Sequence, residues 1–95
     1  MEINEAVREV RRLALEKNFP LSKESLSFLL ERIGVEFGEA LDAFHSYDME
    51  NLSEELIDVL IQTLQALSVL GCDVEQEFKC KMMKNYGRGR NEDQS

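Results

Sequence analysis

The chain has no tryptophan, one proline, one histidine and two cysteines, and each scarcity closes off a class of chemistry. Cys72 and Cys80 stand eight positions apart, which fits neither a CxxC redox pair nor a zinc-ligand spacing, and His45 has no Cys or Ser beside it. On one helix the two thiols would lie about two turns apart, beyond disulfide reach, so both are expected to be free. Free thiols suit a reducing cytoplasm, and no signal-peptide pattern precedes them. Uninterrupted apolar runs end after about three residues, against the ~20 needed to cross a bilayer, so no membrane span is expected. Basic residues are also in short supply, with 11 Lys and Arg against 19 Asp and Glu. The resulting net charge of −8 argues against nucleic-acid and membrane-surface partners. A Gly-rich phosphate loop is missing too, since Gly87-Arg88-Gly89 is a bare turn.

What remains is a globular composition, 43% hydrophobic and 32% charged over 95 residues, enough for one small domain. That domain is expected to span residues 1–87, with 88–95 a polar, flexible tail. The hydrophobic period is helical throughout. Asn4 to about Lys17 carries Ala6, Val7, Val10, Leu13 and Ala14 on one stripe, and Asn18-Phe19-Pro20 ends it. Ser22 can cap a second helix from about Lys23 to Ser46. Tyr47-Asp48-Met49-Glu50 reads as a turn, and Asn51 with Glu54 resembles a capping box for a third helix ending at Leu70 before Gly71. Asp73 with Gln76 opens a fourth, which Gly87 is expected to close after about Tyr86.

The expected class is therefore all-α, a four-helix bundle. Its third helix is too apolar for a bundle surface, because Leu52, Leu56, Ile57, Leu60, Leu64, Leu67 and Leu70 surround most of its circumference. A small domain cannot cover such a helix on all sides, so a second copy is expected against it. Gly34 and Gly38, four apart, would let another helix backbone come close.

Charge is segregated along the chain. Residues 24–77 hold thirteen acids and one base, Arg32, whereas residues 79–90 hold five bases and no acid. Within the acidic stretch, Glu36 and Glu39 form one i, i+3 pair and Glu55 and Asp58 another, each projecting from one helix face. If the two helices fold as an antiparallel hairpin about Tyr47, Glu36 stands level with Asp58 and Glu39 level with Glu55. Two carboxylates ~5 Å apart repel by about 3 kcal/mol at an effective dielectric near 20. Protonation or a bound hard cation such as Mg²⁺ must offset that conflict, and the ligand chemistry favours the cation.

The run Glu36-Phe37-Gly38-Glu39 followed by Glu55-Leu56-Ile57-Asp58 resembles the ExxE…ExxD signature of the MazG-like, all-α nucleoside triphosphate pyrophosphohydrolases. Leu41-Asp42-Ala43, the residues around the second motif, and Lys81, Lys84, Asn85 and Arg88 extend the likeness over about residues 26–88. Many members open the first motif with a Glu doublet, and here the earlier position is Val35. The resemblance implies Mg²⁺-dependent hydrolysis of a (deoxy)nucleoside triphosphate to the monophosphate and pyrophosphate, in nucleotide-pool housekeeping by a homodimer or dimer of dimers. It implies that Glu36, Glu39, Glu55 and Asp58 hold the metal and perform the catalysis, and that Lys81, Lys84, Asn85 and Arg88 bind the substrate. Two rivals stand beside it. Arg32-Ile33-Gly34 resembles the Lys-Val-Gly lead-in of phosphoribosyl-ATP pyrophosphohydrolases, and the acids of a non-catalytic helical adaptor would simply be solvated.

Overall fold

A computed structural model describes the backbone of residues 1–91 and the side chains of residues 1–87. Four α-helices follow one another: α1 (Ile3–Glu16), α2 (Leu26–His45), α3 (Met49–Leu70) and α4 (Val74–Asn91), with a 3₁₀ turn at Lys23–Ser25 before α2. No strand occurs among the described residues, so the all-α class stands.

The local causes are legible at most helix ends. Asn18 adopts the left-handed conformation, φ 58°, that releases the chain from α1 toward Pro20. Gly71 does the same after α3, at φ 72°, where glycine carries no steric penalty. Asp73 caps α4 by accepting a hydrogen bond from the Gln76 amide at 3.2 Å.

Three boundaries differ from expectation. Ser22 does not cap α2. Its hydroxyl pairs with that of Ser25 at 2.9 Å, and the intervening residues wind into the tighter 3₁₀ turn, so α2 starts at Leu26. Asp48, not Asn51, caps α3, accepting from the Asn51 amide at 3.1 Å, and the helix therefore starts at Met49. Tyr47 at φ 58° makes the reversal, which confines the hairpin connection to residues 46–48. Finally, Gly87 does not close α4, which runs on to Asn91; the side chains of 88–91 and all of 92–95 lie outside the described residues.

α2 and α3 form the antiparallel hairpin at the centre, α1 packs on α3, and α4 touches α1. The core is small: Leu29 on α2 and Ala66 and Val69 on α3 are buried, with Leu21, Leu26 and Ile33 packed against them. α4 departs from α3 at 108°. No single helix is long and apolar enough to cross a membrane among the described residues.

Much apolar surface finds no cover among the described residues. On α2, Leu30, Phe37, Leu41 and Phe44 are 44–61% exposed, one position round the helix from the buried row Leu29, Glu36, Ala40 and Ala43. On α3, Leu56, Ile57 and Leu60 are about half exposed, next to Glu55 and Val59. Because the helices run in opposite directions, one step round each reaches the same side of the hairpin, and a continuous apolar face results. Gly34 lies in this face; a Cβ added there or at Gly38 would meet nothing within 4 Å, so the close approach expected at these glycines is not made among the described residues.

Candidate metal centre

The α2–α3 hairpin brings three of the four expected ligands together. One carboxylate oxygen from each of Glu36, Glu39 and Glu55 lies within 4.8 Å of the others. Glu36 is buried, Glu55 half-buried and Glu39 exposed, so the group opens from the helix interface toward solvent. Asp58 is exposed and stands outside this close group, yet its charge acts on both Glu36 and Glu55.

Electrostatic tension in the group is plain. Burial pushes the Glu36 carboxyl above its usual range, the charges of Glu39 and Asp58 push it the same way, and the Arg32 guanidinium pulls it back. Arg32 donates from Nη2 to Glu36 Oε1 at 3.2 Å, one turn earlier on α2. Glu55 is raised as well, by burial first and then by the Glu39 carboxyl facing it. Its Oε2 atom is buried with no hydrogen-bond partner among the described residues. A buried carboxylate oxygen left unpaired costs free energy, and a cation held between these oxygens would remove that cost. All donors are oxygens, a set that suits a hard divalent ion, so the residues present fit such a group.

Two cavities flank the carboxylates on the side away from the apolar face. The one toward the hairpin turn measures about 290 Å³ and is lined by Glu39, Asp42, Ser46, Asp48, Asn51 and Glu55. The other, of about 270 Å³, lies toward the opposite end of α2 and is lined by Phe19, Pro20, Phe28, Leu29, Arg32, Gln62 and Gln65. The first is acidic; the second is aromatic and amide-rich, with the guanidinium at its edge.

Among the described residues, Lys81, Lys84 and Asn85 lie apart from this constellation. Lys81, Lys84 and Asn85 are exposed on α4, and among the described residues neither flanking cavity takes a lining residue from that helix. Lys81 instead borders an apolar cavity at the α3–α4 elbow, with Leu67, Cys72, Val74, Glu77 and Phe78. Asn85 is engaged in a contact of its own. The side chain of Arg88 lies outside the described residues. Both cysteines are free and exposed.

Reading by sequence gave no site role to Arg32, Asp42, Asp48 or Asn51. One signal was available for the first: the sole base among thirteen acids, four residues ahead of Glu36, is placed for an i, i+4 ion pair. For the others there was none, because their convergence depends on how tightly the hairpin turns.

Comparison with known proteins adds one finding. A family model, the MazG nucleotide pyrophosphohydrolase domain, matches residues 1–91, which takes in α1 as well as the acid motifs. No curated protein and no solved structure matches the chain.

Proposed function

The chain belongs to the MazG nucleotide pyrophosphohydrolase domain family, and from that premise we propose that it hydrolyses nucleoside triphosphates to the monophosphate and pyrophosphate with Mg²⁺ as cofactor. The observation that carries this reading is the convergence of Glu36, Glu39 and Glu55 around a buried, unpaired carboxylate oxygen. Glu36, Glu39, Glu55 and Asp58 are the residues that would hold the ion. When bound, Mg²⁺ supplies positive charge to an acidic site that would otherwise repel a triphosphate, and it polarises the phosphoryl oxygens.

The chain's own residues do the rest. A water adds to the α-phosphorus, the bond from that phosphorus to the α–β bridging oxygen breaks, and pyrophosphate leaves. One of the carboxylates accepts the proton that the water loses, since their group lies where the water and the α-phosphorus would meet. Glu39, exposed beside Glu55, keeps the group open to an entering substrate.

The active unit in this reading is a homodimer or dimer of dimers. The surface of 7229 Å² exceeds the about 5,600 Å² expected for a compact chain of 11.0 kDa, an excess of about 1,600 Å². A radius of gyration of 15.7 Å, against about 13 Å for a compact domain of 100 residues, says the same. The apolar face of α2 and α3, with the open space at Gly34, suits a second copy of this hairpin. Lys81, Lys84 and Arg88 then reach the triphosphate from a neighbouring copy, with Asn85 as a hydrogen-bonding partner, and their positive charge adds to that of Arg32, which each chain sets beside its own Glu36. Exposed, unpaired cysteines fit a reducing compartment such as the cytoplasm.

The test is pyrophosphate release from a panel of ribo- and deoxynucleoside triphosphates and phosphoribosyl-ATP, with and without Mg²⁺, paired with thermal melts under the same conditions. Turnover only with Mg²⁺ and a rise in Tm on adding it support the reading. Absence of both favours the non-catalytic adaptor, and turnover of phosphoribosyl-ATP alone favours the related pyrophosphohydrolase.

A further inference from the structure

We propose that the cavity between the α1–α2 connection and the middle of α3 seats the nucleobase of the substrate, and that Arg32 selects bases with a carbonyl-acceptor edge, guanine above all. The inference rests on the pyrophosphohydrolase reading and deepens it.

Position argues first. The cavity's residues lie four and eight positions before Glu36 on α2, at Arg32 and Phe28, and four and seven after Asp58 on α3, at Gln62 and Gln65. At 1.5 Å rise per residue they sit about 6 to 12 Å along the hairpin from the carboxylates, the span of a sugar and base attached to an α-phosphate held there. The cavity at the other end offers Asp42, Asp48 and Glu39, which repel phosphate and give a base no stacking surface.

Chemistry argues next. Phe19 and Phe28 are each about half exposed, which leaves ring surface for a base to stack on. The wall is already built: Gln65 is 3% exposed and donates from Nε2 to the Pro20 carbonyl at 3.0 Å, fixing the connection across the cavity. Arg32 is tethered by one nitrogen to Glu36, so the remaining N–H donors of its planar fork are held at the cavity edge. A guanidinium donates and cannot accept, which favours the paired O6 and N7 acceptors of guanine over adenine, whose N6 amino group would face it. Across the cavity, Gln62 makes no hydrogen bond among the described residues and can accept from a base N–H.

The experiment measures binding of the α,β-methylene triphosphates of guanosine, adenosine, cytidine and uridine to the full chain in Mg²⁺ by calorimetry, so that no turnover intervenes. The guanosine analogue is expected to bind about tenfold tighter than the adenosine analogue. Arg32→Ala should erase that ratio, and Phe28→Ala should weaken all four analogues together. Gln62→Leu, which leaves the Arg32–Glu36 pair intact, should narrow the ratio and provides the reading if Arg32→Ala does not fold. Equal binding of all four bases by the native chain, a preference for adenosine, or an unchanged ratio in both Arg32→Ala and Gln62→Leu would overturn the proposal. Hydrolysis of every triphosphate without base preference in binding leaves the hydrolase reading standing and removes this one. Base-selective binding with no hydrolysis of any triphosphate does the reverse.

Discussion

Asn4 and Asp73, 69 positions apart, are joined by a hydrogen bond of 3.0 Å that ties the start of α1 to the start of α4. The amide of Asn4 works in both directions, since its Oδ1 also accepts from the Glu75 backbone amide at 3.0 Å. Among the described residues of α4, Val74 is buried, but Phe78, Met82 and Tyr86 are 37–73% exposed along one stripe. Asn4→Ala should therefore loosen α4 selectively. Exchange of the Glu75 and Gln76 amides should quicken about tenfold while that of the α2–α3 hairpin is unchanged, as read by hydrogen exchange.

Stability should depend on pH from both sides. Asp73 titrates below its usual range, because Asn4 and the Gln76 amide donate to its charged form; what it contributes is present above its unfolded value and is lost as pH falls through the lowered one. Glu36 and Glu55 are raised by burial and by their neighbours' charges, so their cost to folding sets in as pH rises above their ordinary value of 4.5 and is complete once pH has passed their raised values. Metal-free protein should show a maximum between the two limbs, with Tm falling on the alkaline side of it until both carboxyls are ionised. Glu55→Gln should flatten that upper limb, and saturating Mg²⁺ should do the same in the native chain. A metal-free Tm that climbs steadily to neutrality would refute the assignment.

Much of this architecture was written in the hydrophobic period and in a few end signals. Gly71 and Asp73 act as expected because each works through its own backbone or the next turn, a purely local cause. The misplaced start of α3 has the same kind of cause: Asp48 and Asn51 are both good caps, and only the left-handed Tyr47 decides between them. Spacing alone carried Glu36, Glu39 and Glu55 to one point, since equal distance from a tight turn fixes the register of a hairpin. The path of α4 was not legible. Its departure at 108° depends on the two residues between Gly71 and Val74 and on the grip of Asn4, and no periodicity encodes either.

The apolar face of the hairpin makes a prediction about assembly. Phe37 is 51% exposed in one chain and lies in the stripe with Leu30, Leu41 and Phe44. In a dimer that buries this face, Phe37→Glu places an unpaired charge in an apolar interface and should raise the dissociation constant by at least about a hundredfold. Light scattering after size exclusion would show a shift from dimer or tetramer toward monomer. An unchanged mass would mean that another surface joins the copies.

If the catalytic unit takes carboxylates from one copy and basic residues from another, two dead proteins should make a live one. Glu39→Gln removes a ligand charge with little change of shape, and the homogeneous variant should lose activity by about a hundredfold or more with its helical signal intact. Lys81→Ala, on the exposed face of α4, should be similarly impaired through phosphate binding, with KM rising more than kcat falls. When the two variants are mixed, unfolded and refolded together, some assemblies pair a native carboxylate group with a native Lys81 from its neighbour. Those sites are whole, because both substitutions fall together in the other site. Activity should then return to a fraction of the native value set by the share of mixed assemblies. Were Lys81 to serve the carboxylates of its own chain, every site would carry one substitution or the other, and mixing would restore nothing.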